Sequence, residues 1–243
     1  MKHFISLSLL VIFFTSCNYV LRNQVHGNGN IKTESRTAGQ FNSIDVSSSI
    51  DVYVKQDSVA SIKIEADENL MEYIQVIDDG GVLRIHPDEG YNLRPSKSIK
   101  VYVSSPAYKS FEASGACNIY SENKITSSDI IDIDLSGSCD AKLELNAPNV
   151  NADLSGACNI ELKGETKEFK VGGSGSTGIK SMELLAENVD VDISGAGEAD
   201  VYASVKLNVE VSGAGSVKYK GNATVSQNVS GAGSVKKVET PNP

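Results

Sequence analysis

The sequence contains no tryptophan, only three histidines and only four cysteines among its 243 residues. Each scarcity removes a class of chemistry. Histidine is the usual neutral-pH base and metal ligand, yet His3, His26 and His86 lie far apart with no partner at ligand spacing. There is no Ser-His-Asp order, Cys-His pair, phosphate-cradling loop or zinc spacing, so the sequence predicts no enzyme and no cofactor. The recurring SGAGS resembles G-x-S-x-G only superficially, because that elbow leads from a strand into a helix and here it sits in a repeat. Aromatics make up 6% of the chain, and the outward tyrosines Tyr53, Tyr102, Tyr120 and Tyr202 read as scattered, which is sparse for a sugar cleft. Positive charge is short too: 22 Lys and Arg against 31 Asp and Glu give a formal charge of −9. Such a surface repels nucleic acid and anionic headgroups, so no nucleic-acid partner is expected.

Long apolar runs are scarce as well, and the one present stands at the N-terminus. Phe4 to Phe14 (FISLSLLVIFF) follows Lys2 and precedes Thr15-Ser16-Cys17. A basic start, an apolar stretch and small residues read as a secretory signal over residues 1–16. The run falls short of the roughly 20 residues that span a bilayer. Cysteine directly after the small residues resembles a bacterial lipobox of the kind found in Bacteroidetes, although Phe14 stands where leucine is usual. That resemblance implies cleavage before Cys17, its diacylation, and a membrane partner reached through the lipid anchor. Two or more acyl chains hold durably where one binds marginally. Residues 17–38 are polar and without periodicity, and read as a tether with a reach of order 25 Å. Surface-displayed lipoproteins of that phylum often carry acids just after the lipidated cysteine. Asn18-Tyr19-Val20 has none, which points to a periplasm-facing outer-membrane lipoprotein and leaves surface exposure open.

What the chain has in abundance is a repeat. From residue 113 the motif ASGACNI, LSGSCDA, LSGACNI, GSGSTGI, ISGAGEA, VSGAGSV, VSGAGSV returns, with its glycines at Gly115, Gly137, Gly156, Gly175, Gly195, Gly213 and Gly231. The spacing of 18 to 22 residues signals a solenoid, each unit stacked on the next. Between the glycines the period is two. From Ile131 to Leu145 the odd positions are apolar or small and the even ones carry Asp, Ser, Lys and Glu, the alternation of a strand. Glycine at the break admits a sharp corner or a close neighbouring wall. The predicted fold is all-β, a parallel β-helix with residues 113–237 as the repeat and 238–243 as a tail.

Residues 39–112 are more irregular. FNSIDVSSSIDVYV, ASIKIEA, MEYIQVI, GVLRIHP and SIKVYVSSP alternate as strands, Asp79-Gly80-Gly81 is a hairpin turn, and Ser47-Ser48-Ser49-Ile50 is a worn copy of the Ser-Gly motif. These read as hairpin-decorated first coils capping the solenoid, or as a separate small β domain. FNSIDVSSSIDVYV, GVLRIHP, SIKVYVSSPAYKSFEASGACNI and the later SGAG repeats together resemble the head GIN domain family, named for auto-transporter adhesins, over roughly residues 39 to 235. The resemblance rests on pattern. It implies a right-handed parallel β-helix on exported or lipid-anchored bacterial proteins, and it supplies no catalytic residues.

Two ladders are candidate sites. Cys117, Cys139 and Cys158 each lie two residues after a repeat glycine and point inward on consecutive coils. They read as buried, inert thiols; a disulfide or a metal site is the alternative, since coils about 4.8 Å apart fall within disulfide range. Outward, three residues before the glycine, stand Glu112, Asp134 and Asp153. They form either a solvated anionic face or a stripe binding calcium weakly, at around millimolar levels. The functional expectation is a non-catalytic, adhesin-like or scaffolding module that presents a long β surface to a protein or glycan. The alternative is a carbohydrate-active β-helix enzyme, and fold alone does not decide between them. The sequence carries no signal for oligomeric state.

Overall fold

A computed structural model describes residues 23–37 and 39–238. Among the described residues, apart from one 3-10 turn, Glu68–Tyr73, every regular element is a strand. Along Asp140–Gly156 inward and outward residues alternate almost without a break, so one whole face must be covered. The next coil along the stack lines up in register. Gly137 pairs with Gly156, Gly156 with Gly175, Gly175 with Gly195, Gly195 with Gly213 and Gly213 with Gly231, all in parallel strands. The chain is a β-solenoid with two walls that meet at the Ser-Gly corner. Residues before each glycine build the first wall and residues after it the second, and their inward Val, Ile and Leu close one continuous core.

The corner needs glycine for two reasons. Its φ is positive throughout, from +91° at Gly137 to +119° at Gly213, a region that side chains rarely enter. A Cβ there would also strike the coil beneath: at Gly137 it would lie 2.5 Å from the Gly115 carbonyl oxygen. That approach lets the hydrogen-bond ladder turn the corner, with the Ser138 and Ala157 amides donating to the carbonyls of Gly115 and Gly137 at 2.7 Å. Ser48 fills the same place in the earlier coil at φ 86°. The parallel pairing outside it stops at Val46 with Ile85, so the crowding is relieved and a side chain fits.

The N-terminal region is built of coils on the same two walls, and the sheet runs past residue 112 unbroken. Its order in space differs from its order in sequence. Ser43–Ser48 lies between Val82–Pro87 and Ser110–Gly115, and Ile50–Gln56 between Ile99–Ser105 and Asn118–Ser121. From Ser43 the chain therefore builds the second coil first, moves outward to build the end, and crosses back. Ile74–Asp79 and Val82–Pro87 form the hairpin around Gly80-Gly81, both with positive φ.

The reading of residues 17–38 as a polar tether is corrected over residues 23–36 by two strands. Asn23–His26 pairs with Tyr91–Arg94, and Ile31–Arg36 runs antiparallel to Ser61–Asp67. Both strands are largely exposed, so they are held by backbone pairing and polar ties, which leave no apolar period in the sequence. The Asp67 carboxylate, fully buried, accepts from the Gly29 amide at 2.7 Å and from the Ser96 amide and hydroxyl at 2.9 and 2.6 Å. Arg36 donates to the carbonyls of Met71 and Ile74. Cys17 and the apolar run before it lie outside the described residues.

Candidate functional site

The first wall carries the acidic stripe. Register aligns Arg84, Asp45, Glu112, Asp134, Asp153 and then Gly172, with Asp192 and Glu210 beyond. Arg84 closes the row at one end, 3.9 Å from Asp45 and 3.3 Å from Asp79. Burial pushes the Glu112 carboxyl up from the usual carboxylate range, and Asp45 and Asp134 push it further. Asp134 is raised by burial and then by Asp153 and Asp132. At Gly172 the row loses its side chain, and a Cβ there would sit 2.6 Å from Asp153 Oδ1. Two grooves, of about 530 and 690 Å³, meet at Asp153, Gly172 and Asp192. Glu112, Asp134 and Asp153 stand in file and do not converge. Among the described residues no group of three or more His, Cys, Asp or Glu side chains is placed to hold a metal ion, so the calcium stripe, one of the two readings that the sequence left open, has no cage.

The second wall balances its charges. Lys142 lies 3.4 Å from Glu161, Lys163 lies 3.5 Å from Glu161 and 3.2 Å from Glu183, and Lys218 pairs with Glu198. Its earliest coils carry an aromatic ladder that corrects the view of scattered tyrosines. Tyr102 and Tyr53 stack with centroids 4.9 Å apart, Tyr53 and Tyr120 follow at 5.2 Å, and Lys63 Nζ covers the outer face of Tyr102 at 4.3 Å. The rings lie face against face along the stack, so they reinforce the three strands and do not present a flat platform to a sugar. Sequence order hid the ladder, because the coil bearing Tyr53 is inserted between those of Tyr102 and Tyr120. Asp45 was legible, since it precedes Ser48 by the same three residues that separate Glu112 from Gly115. Arg84 was not, for the reason that hid the tyrosines.

Between the walls lies the thiol column. Cys117, Cys139 and Cys158 are free and fully buried, and each sulfur rests on the carbonyl three residues back at 3.2 to 3.3 Å. The hydrogen bond to Cys139, together with burial, holds the Cys117 thiol well above the ordinary range, and burial raises Cys158. Register extends the column to Ile50 below and to Thr177 and Gly197 above. As it narrows, the opposite side fills: a Cβ at Gly197 would meet Ile193 Cγ2 at 3.0 Å. His86 sits on the second strand of the hairpin, with Nδ1 2.9 Å from the Pro87 carbonyl.

The family described as "Putative auto-transporter adhesin, head GIN domain" matches residues 40–223. The chain belongs to that family. Solved structures of similar fold include a "putative adhesin" from Bacteroides fragilis (TM-score 0.83, 24% identity, covering 88% of this chain and all of that one). Two from Parabacteroides distasonis follow, each at 24% identity over 89% of this chain and all of theirs: a "putative lipid binding protein" (TM-score 0.73) and a "putative adhesin" (TM-score 0.71). No curated protein matches the chain. At these identities the likeness establishes the fold. Family members carry adhesin names, and the family points to a cell-envelope or extracellular protein.

Proposed function

We propose that the chain is a non-catalytic lipoprotein of the bacterial cell envelope, anchored through Cys17, that binds a protein or glycan along the first wall. One observation supports this reading best. Outward side chains stand in rows one coil apart, so the wall offers the same chemistry repeatedly along a groove, and nowhere among the described residues do a nucleophile, a base and oxyanion donors converge. A periodic or extended ligand suits such a row, and specificity would come from the carboxylates of Glu112, Asp134 and Asp153 beside the serine hydroxyls. Family members named as adhesins agree with it, and the neighbour named for lipid binding keeps a lipid among the probes.

Capture from envelope extracts and on a glycan and lipid array tests the reading, with the full chain compared against Asp134→Lys and Asp153→Lys. The expected result is a retained ligand lost in both variants while the fold is kept. A glycan that is cleaved would replace binding by carbohydrate-active catalysis. Anchoring is tested separately: Cys17→Ser should move the protein from the membrane to the soluble envelope fraction, and continued need for detergent would refute it.

A further inference from the structure

One coil of the repeat departs from its neighbours. Around the corner successive coils read EASGACN, DLSGSCD, DLSGACN, GGSGSTG, DISGAGE and EVSGAGS. Of these only GGSGSTG, residues 172–178, opens without a carboxylate. The first wall loses its outward side chain at Gly172, and the second wall loses its own at Gly178, which stands in register between Asn159 and Glu198. The coil is therefore a notch cut across both walls.

The turn does not require this glycine. Gly175 has φ +105°, whereas Gly172 lies outside the left-handed region. The nearest obstacle to a Cβ at Gly172 is the free end of the Asp153 side chain, with Oδ1 at 2.6 Å. The backbone would accept the aspartate that the adjoining coils carry, so the missing side chain leaves space. Beneath the floor Thr177, only 4% exposed, finds no hydrogen-bond partner among the described residues. Its Oγ1 points at the underside of the floor, 2.4 Å from where Gly173 would carry a Cβ. A buried hydroxyl without a partner calls for an explanation. Rules of packing and polar satisfaction broken together in one coil mark a place shaped for something other than stability.

The two grooves, of about 530 and 690 Å³, join at this notch. Asp153 and Asp192 flank it two strand spacings apart, about 9.6 Å. Lys170 stands in the same coil, with Asn151 and Asn208 in its row to either side. Each amide keeps a second proton beyond the one it gives to Asp132 or Asp190. A seat for a cation would offer acceptors alone. This mixed set suits hydroxyl groups, which both donate and accept, and hydroxyl bonds to carboxylates are the short, strong kind. Bare glycine backbone lets a flat ligand approach closely.

We propose that the notch is a subsite for one pyranose ring of a glycan lying along the first wall, its hydroxyls held between Asp153 and Asp192 and by Lys170. The subsite presupposes the first wall as the binding face proposed above, and it commits that face to a glycan in place of a protein.

Titration calorimetry of the full chain tests this, with neutral oligosaccharides of hexoses and N-acetylhexosamines as probes and polylysine as the cationic counterpart. The wild type should bind an oligosaccharide with an affinity that salt barely alters. Gly172→Asp gives the coil its neighbours' side chain, and should weaken binding about tenfold or more while the melting curve stays that of the wild type. Lys170→Met, at an exposed position, should weaken it several-fold. If polylysine alone is bound, more tightly by Gly172→Asp and less as salt rises, the stripe holds a cation and the subsite is overturned. So it is if the wild type binds no oligosaccharide, or binds one no better than both variants do. An oligosaccharide lost in Asp153→Lys but kept in Gly172→Asp removes the subsite and leaves the wall. One kept in both Asp134→Lys and Asp153→Lys removes the wall as the binding face.

Discussion

The N-terminal coils and the C-terminal repeat share walls, corner and core, yet they are held together by different means. In the repeat each coil pairs only with its neighbours, and the strand pairings from Gly137 onward span 17 to 20 residues along the chain. Before it, the chain runs out and back, so Tyr53 meets Tyr102 and Tyr120, and Asp67 fastens Gly29 and Ser96. The repeat is quasi-one-dimensional, and its stability is a sum of neighbour terms. The N-terminal end is instead closed by long-range ties, whose loop-closure entropy must be offset by specific contacts such as the tyrosine stack and the buried carboxylate. The comparison teaches that one solenoid can hold its coils in two ways: by stacking each on its neighbour, or by tying distant segments across one end.

The largest expected effect comes from depth within the repeat. Ile193 is fully buried in mid-stack. Ile193→Asp sets an unpaired carboxylate into the core and should cost about 3–5 kcal/mol in denaturant unfolding. Val229→Asp, on the same inward column two coils further on, should cost less than about 1 kcal/mol, because water already reaches that site. Equal losses at both positions would mean that the last coil is covered as fully as the middle.

A second contrast separates glycines that are crowded from glycines that are merely turned. Gly137→Ala meets both a positive φ and the Gly115 carbonyl 2.5 Å away, and should lower stability by about 2–4 kcal/mol. Gly80, in the N-terminal hairpin, has φ +63° but nothing within 4 Å of an added Cβ, so Gly80→Ala should cost only about 1 kcal/mol. Melting curves of the two variants check the ratio. If Gly80→Ala is the worse, the corner is looser than it stands here.

How far these features were legible follows the same division. Period two, the seven glycines and the Ser-Gly corner exposed the repeat because its order in space is its order in sequence. The inward column of Cys117, Cys139 and Cys158 was readable for that reason. The same logic failed for the coil of Val82–Pro87 and Ile99–Ser105, which lies outside one that precedes it. Arg84 at the end of the stripe and the tyrosine ladder went unseen as a result. Asn23–His26 and Ile31–Arg36 carry no apolar alternation, since edge strands earn their place through backbone pairing. Polar composition there read as a tether.

The thiol column gauges how tightly the repeat is closed. Cys117, Cys139 and Cys158 are fully buried, and a thiol that reagent cannot reach until the coils open reacts slowly. Thiol counting should find almost no reaction in the folded body and three groups from it after denaturation. A mass lower by two protons, restored by reductant, would show that neighbouring coils had been joined by a disulfide.

The smallest expected effect concerns the walls themselves, one acidic and one balanced. Glu112 and Asp134 titrate above the usual carboxylate range because of burial and their neighbouring carboxylates. A carboxyl whose folded pKa is raised binds protons more tightly in the folded state, so its contribution is fully present below the unfolded pKa and is lost as pH rises through the folded pKa. The stripe should therefore weaken the fold as pH rises from about 4 towards neutrality. Asp134→Asn should stabilise by less than about 1 kcal/mol at neutral pH, since both carboxyls are only partly desolvated and solvent screens them on an exposed face. The gain should shrink as pH falls towards about 4, where Glu112 and Asp134, both raised, take up protons first. Calcium and sodium at matched ionic strength should give the same melting curve, because carboxylates in file, without converging ligands, screen by charge alone. A calcium-specific rise abolished by Asp134→Asn would show instead that a cation bridges adjacent coils. The acidic wall would then be held by an ion much as the second wall is held by its lysines.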